Sequence, residues 1–178
     1  TQKFGLGFDE VDALTGSLIG RPKSATYRTA DVVGLDTLAH VVNTMKETLP
    51  EDPWHEYYEA PDWFKRLIDQ KALGQKSGRG VYRKQGREIQ VLDVARQDYR
   101  PSAGEADESV VAILKNTNVA ERFAQLRASP HPQAQFMWAA LRDMLHYCAV
   151  HLEAIADNAR DLDFAMRWGF GWNQGPFE

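Results

Sequence analysis

The feature that narrows the fold most is an internal repeat of one short motif. Val11-Asp12-Ala13-Leu14, followed by Leu18-Ile19-Gly20, lies over Leu162-Asp163-Phe164-Ala165, followed by Gly169-Phe170-Gly171. Aspartate and glycine stand eight positions apart in both copies, and with one extra residue in the first copy Tyr27-Arg28 falls opposite Phe177-Glu178. The pattern predicts a short helix with its aspartate near the N-terminus, where the helix dipole favours negative charge. The glycine then lets the chain reverse before another helix. In the first copy the motif feeds a long helical stretch, whereas in the second the chain stops where that stretch is due. Conversely, only the second copy has a long helix ahead of it. The expectation is a duplicated unit cut at both ends, in keeping with a first residue, Thr1, that is not methionine.

Apolar spacing predicts mostly helix. Asp9 is positioned to cap the first short helix. Val32, Leu35, Leu38, Val42, Met45 and Leu49 form one stripe over residues 29–49, which Pro50 and Pro53 terminate. An aromatic cluster follows, Trp54, Tyr57, Tyr58, Trp63 and Phe64, with Pro61 placed to open a helix to about residue 70. Val81-Tyr82-Arg83 and residues 88–92 flank Lys84-Gln85-Gly86-Arg87 as a small β-hairpin. Residues 97–107 have connector composition, short helices are expected at 108–115 and 118–128, and the longest helix at 133–156. A helical turn and one more short helix are expected over 157–168. The expected organisation is a first copy at 1–92, a connector with short helices at 93–132 and a second copy at 133–178.

Composition excludes several classes. With 21 basic and 25 acidic residues the net charge is −4, so there is no basic excess for nucleic acid. No apolar run approaches the roughly 18 residues of a membrane span. The single cysteine, Cys148, excludes an internal disulfide and a cysteine-based zinc site, which suits the cytoplasm. Three glycine-spaced loops begin at Gly5, Gly78 and Gly169, but none supplies a dinucleotide fingerprint after a buried strand. No alternating strand–helix pattern of a βαβ unit is present.

The closing segment GFGWNQGPFE (169–178) resembles the glycine-rich turn of the 3-hydroxyacyl-CoA dehydrogenase C-terminal domain, and DNARDLDFAMRWG (157–169) the helix leading into it. ADVVGLDT (30–37) and GQKSGRGVY (74–82) are similar to two further family segments, in family order. The resemblance implies an all-α fold of the 6-phosphogluconate-dehydrogenase C-terminal-like type, duplicated, with the small hairpin. It implies oxidation of (3S)-3-hydroxyacyl-CoA to 3-oxoacyl-CoA in fatty-acid β-oxidation. The NAD and a His–Glu catalytic pair would belong to an absent N-terminal Rossmann domain, so no catalytic, cofactor or metal residue is expected in this piece, and the piece alone is expected to be inactive. Acyl-CoA, the chain's own Rossmann domain and a second copy of the chain, through the apolar faces of the long helices, are the expected partners. The competing reading is a free-standing helical interaction module with the family fold and no catalysis.

Substrate contact is expected at the first-copy turn: Pro22, Lys23, Ser24, Tyr27 and Arg28. There the family's Pro-Phe-Glu, kept as Pro176-Phe177-Glu178, is replaced, and Arg28 stands opposite Glu178. Two readings stay open: a basic loop for an anionic CoA tail, or an exposed cationic turn. Asp36 and His40 lie i,i+4 on one helix face, close enough to pair. Cys148 falls on an apolar stripe, as a buried inert thiol does. Lys76 and Arg79 are either phosphate ligands or solvated loop residues. Asp31 is read as a helix-start residue accepting backbone hydrogen bonds, and the aromatic cluster either as core or as the wall of an acyl pocket.

Overall fold

Apolar residues every third or fourth position drive the longest element, and in the computed structural model, which describes residues 1–178, it is the 24-residue helix Pro132–Ile155. Eight α-helices are present: α1 Phe8–Thr15, α2 Tyr27–Val33, α3 Leu35–Thr48, α4 Asp62–Asp69, α5 Glu108–Leu114, α6 Val119–Ala128, α7 Pro132–Ile155 and α8 Ala159–Phe170. A small sheet, β1 Tyr82–Gln85, β2 Glu88–Asp93 and β3 Asp98–Pro101, lies between α4 and α5. No helix is long and apolar enough to cross a membrane. The chain divides into two compact units, one of residues 1–25 with 104–178, the other of residues 26–103.

The first unit is helical. Leu14 of α1, Val110 and Leu114 of α5, Leu126 of α6 and Ala134 and Met137 of α7 form its core, each large side chain worth about 1.5–3 kcal/mol when fully buried. Local chemistry sets the helix starts: Asp107 accepts from the Ser109 N–H, Asn118 from Glu121 and Asn158 from Asp161. α1 departs from expectation. Gly7, in extended conformation, occupies the cap, and Glu10 Oε2 accepts from its N–H at 2.7 Å. Asp9 lies inside the helix and accepts instead from the Gly104 N–H at 2.8 Å, in a contact too close for a Cβ at 104. Gln133 is buried with its amide satisfied, donating to Glu105 O (2.9 Å) and accepting from the Asp107 N–H (2.8 Å).

The second unit carries α2 to α4 and the sheet. The continuous helix expected over 29–49 is broken: Gly34, at φ 102°, separates α2 from α3. That left-handed φ ends α2, and the Leu35 N–H turns to Leu73 O at 3.1 Å. Asp31, 3% exposed, is not at a helix start. Its two oxygens accept from the Val81 and Tyr82 N–H groups, at 2.8 and 2.7 Å, across fifty residues of chain. This clamps the glycine loop onto α2, and any Cβ at Gly74 or Gly80 would overlap Asp31. The hairpin is present, its loop tightened to Gly86-Arg87 between the paired Gln85 and Glu88. A third strand joins it from the stretch read as connector, β3 pairing antiparallel with β2 from Asp93↔Asp98 to Gln90↔Pro101. Pro101 fits because β3 is an edge strand.

Candidate functional site

The two motif copies meet in the first unit with reciprocal geometry. Asp12 and Asp163 occupy corresponding places in α1 and α8, mid-helix rather than near the N-terminus, and both are buried. Gly20 and Gly171 both adopt the left-handed conformation, at φ 70° and 66°. The Asn173 N–H donates to Gly20 O at 2.8 Å, and a Cβ on Gly20 would stand 3.1 Å from that of Asn173. In return Gly171 faces Pro22, 3.8 Å from a Cβ built on it. Each glycine thus meets the residue two places beyond the other, and the residues between, Arg21 and Trp172, stack with the guanidinium 4.1 Å from the ring centroid. That is the self-complementary pattern of a two-fold contact, formed within one chain. Burial lowers the Arg21 pKa.

In the second copy the turn closes on carboxylates. Asp163 accepts from the Phe177 N–H at 2.8 Å, and Glu178 accepts from the Gly175 N–H and from Arg167, both at 2.9 Å. The first copy differs at the corresponding end: the Arg28 guanidinium lies 4.5 Å from the Tyr82 ring centroid.

The five turn residues singled out by sequence fall in different units. Pro22, Lys23 and Ser24 form a turn in the first, closed by the Ala25 N–H to Pro22 O at 2.9 Å, with Lys23 exposed. Tyr27 and Arg28 open α2 in the second. Tyr27 packs edge-to-face on Trp63, ring centroids 6.2 Å apart, and Trp63 packs the same way on Phe64 at 5.6 Å.

These rings wall an open, mostly apolar pocket of about 420 Å³. Its helical side comes from Ala30 and Val33 of α2 and Leu38 and Val42 of α3, and its aromatic side from Tyr57, Tyr58, Trp63 and Phe64. Of the sequence-read cluster only Trp54 stands outside it. The α2–α3 wall was missed because the stripe was read as one continuous helix with Val32 and Leu38 on a single face, whereas the chain breaks at Gly34 into two helices and Val33, not Val32, lines the pocket. At its rim Glu59 sits between Lys46 and Lys65, its contact to Lys65 being 2.6 Å. Hydrogen bonds from these two lysines, Lys46 first, bring its carboxyl down to about 2.

The remaining candidates resolve plainly. Asp36 pairs with Lys76, at 2.6 and 2.8 Å, and not with His40. Lys76 is therefore ion-paired, and Arg79 donates to Gln70 O at 3.0 Å. Cys148 is half-buried rather than fully buried, and desolvation raises its thiol pKa.

The family model described as "3-hydroxyacyl-CoA dehydrogenase, C-terminal domain" matches residues 3–84. A "Probable 3-hydroxyacyl-CoA dehydrogenase" of Bacillus subtilis (strain 168) is 37% identical over 176 residues, 99% of this chain and 22% of that protein. A protein of the same description from Deinococcus radiodurans is 43% identical over 83 residues, 47% of this chain and 23% of its own length. The "Fatty acid oxidation complex subunit alpha" of Psychrobacter cryohalolentis is 32% identical over 180 residues, 96% of this chain and 21% of that subunit. The chain thus spans about a fifth of the length of the curated relatives it matches. No solved structure matches.

Proposed function

Because the chain belongs to the 3-hydroxyacyl-CoA dehydrogenase family, matching its C-terminal domain, we propose that it serves as the substrate-side and assembly region of an NAD-dependent (3S)-3-hydroxyacyl-CoA dehydrogenase. In the longer protein the 3-hydroxyl carbon would give its hydride to NAD and the hydroxyl its proton to a general base, leaving the 3-oxoacyl-CoA of β-oxidation. NAD and the groups that act on the hydroxyl would be held by a Rossmann domain outside these residues. These 178 residues hold no parallel βαβ unit, only a three-stranded antiparallel sheet. On this reading they do not turn over substrate alone.

The observation that carries the substrate-side reading is the aromatic-walled pocket of about 420 Å³, whose size and apolar lining suit a flexible acyl chain. Tyr27 is the member of the sequence-predicted set that lines it. The assembly role rests on exposed apolar side chains, Trp168 at 78%, Phe170 at 64% and Ile155 at 62% among them. Val33, at the rim and 46% exposed, offers a test that leaves the core alone. In the longer protein, Val33→Trp should raise KM for long-chain 3-oxoacyl-CoA by about tenfold and leave acetoacetyl-CoA kinetics unchanged. Equal effects at every chain length, or none at any, would remove the acyl chain from this pocket.

A further inference from the structure

On the sheet side of Trp63 lies a second, smaller concavity of about 150 Å³ into which three arginines converge: Arg66 of α4, Arg79 of the glycine loop and Arg83 of β1. Like charges gathered in one hollow repel, so their arrangement needs a cause. Each fixed guanidinium is held by a neutral group. Arg79 donates to Gln70 O at 3.0 Å, and Arg83 donates through Nε to Gln90 Oε1 at 2.8 Å while lying 4.2 Å from the Tyr99 ring centroid. Elsewhere in the chain arginines such as Arg96, Arg142 and Arg167 are ion-paired to carboxylates. Asp98 is the one acidic residue lining the hollow, and its Oδ1 already accepts from the Tyr99 N–H at 2.7 Å. Burial raises the Tyr99 hydroxyl pKa, so no phenolate offsets the cations.

Guanidinium groups oriented by neutral acceptors keep their charge and their remaining N–H donors for a ligand, and their fork geometry matches phosphoryl oxygens. Trp63 lines this hollow and the apolar pocket alike. We propose that Arg66, Arg79 and Arg83 form a phosphoryl-binding subsite for the phosphorylated tail of the CoA thioester whose acyl chain enters the neighbouring pocket. The assignment rests on the dehydrogenase reading for the identity of the ligand, and on the arginine geometry for the site.

Calorimetric titration of the 178-residue chain tests it, with coenzyme A, pantetheine (the same tail without phosphates) and inorganic pyrophosphate as probes. Coenzyme A should bind, pantetheine should not, and pyrophosphate should bind more weakly than coenzyme A. R66Q, R79Q and R83Q should each lose about tenfold in affinity, or about 1.4 kcal/mol. R127Q, an exposed charge on α6, should lose nothing. Binding should weaken as salt rises. Arg66 is exposed and carries no fold contact comparable to those of Arg79 and Arg83, so R66Q decides the matter if the other variants fail to fold. Absence of coenzyme A binding, or affinity unchanged in R66Q, overturns the subsite. Pyrophosphate binding as tightly as coenzyme A overturns its assignment to the CoA tail in favour of free polyphosphate. Because calorimetry needs no turnover, failure of the dehydrogenase reading registers separately, as binding without hydride transfer in the longer protein.

Discussion

Three buried aspartates do the same physical job in this chain. Asp9 accepts from the Gly104 N–H, Asp31 from Val81 and Tyr82, and Asp163 from Phe177, and each receives a glycine segment that no larger residue could bring so close. A buried carboxylate satisfied by backbone donors is stable only while those donors stay in place. Asp31→Asn replaces a charged acceptor of two N–H groups by an amide that can offer one oxygen. The expected cost is about 2 kcal/mol, read as a lowered urea midpoint at unchanged slope; an unchanged midpoint would show that the clamp adds nothing to stability. The sequence shows these aspartates but not this role. Asp9 and Asp31 look like helix-start residues because their partners lie 95 and 50 residues away, beyond any local spacing rule.

At the scale of elements, what was legible depended on length. α7, α5 and α6 stand within a residue or two of their expected bounds, since long periodic stripes and capping residues such as Asn118 act locally. The β1–β2 hairpin was legible from its turn residues, but the third strand was not. β3 holds four residues with a proline at its end, and its existence depends on β2 offering an open edge. The Gly34 break was hidden because the apolar stripe runs through it unbroken. The candidate pocket inherits that miss, being walled by the two helices the break creates. The same elements predict a pH response. Glu59, between Lys46 of α3 and Lys65 of α4, has its carboxyl lowered from 4.5 to about 2, so its contribution is fully present above pH 4.5 and is lost as pH falls toward about 2. The group is solvent-exposed and the effect correspondingly small. Glu59→Gln should lower the urea midpoint slightly at neutral pH and should not differ from the parent near pH 2. An equal deficit at both pH values would mean that Glu59 acts by packing rather than charge.

For the whole molecule, the repeat carried the most information and also had the clearest physical counterpart. The reciprocal contact of Gly20 with Asn173 and of Gly171 with Pro22 is a two-fold interface between motif copies that spacing alone had only aligned. Family kinship follows from residues 3–84 and from relatives several times longer than this chain. The arginine hollow beside Trp63 was not legible, because Arg66, Arg79 and Arg83 come from a helix, a loop and a strand with no common period. On the proposed function these residues would be the substrate-side part of a larger dehydrogenase and would depend on a cofactor domain for chemistry. The most direct measurement compares initial rates of NADH oxidation with acetoacetyl-CoA for the longer natural protein that contains this sequence and for the 178-residue chain alone. The account predicts turnover by the longer protein and none by the chain. Turnover by the chain alone, or its absence from the longer protein, would contradict it.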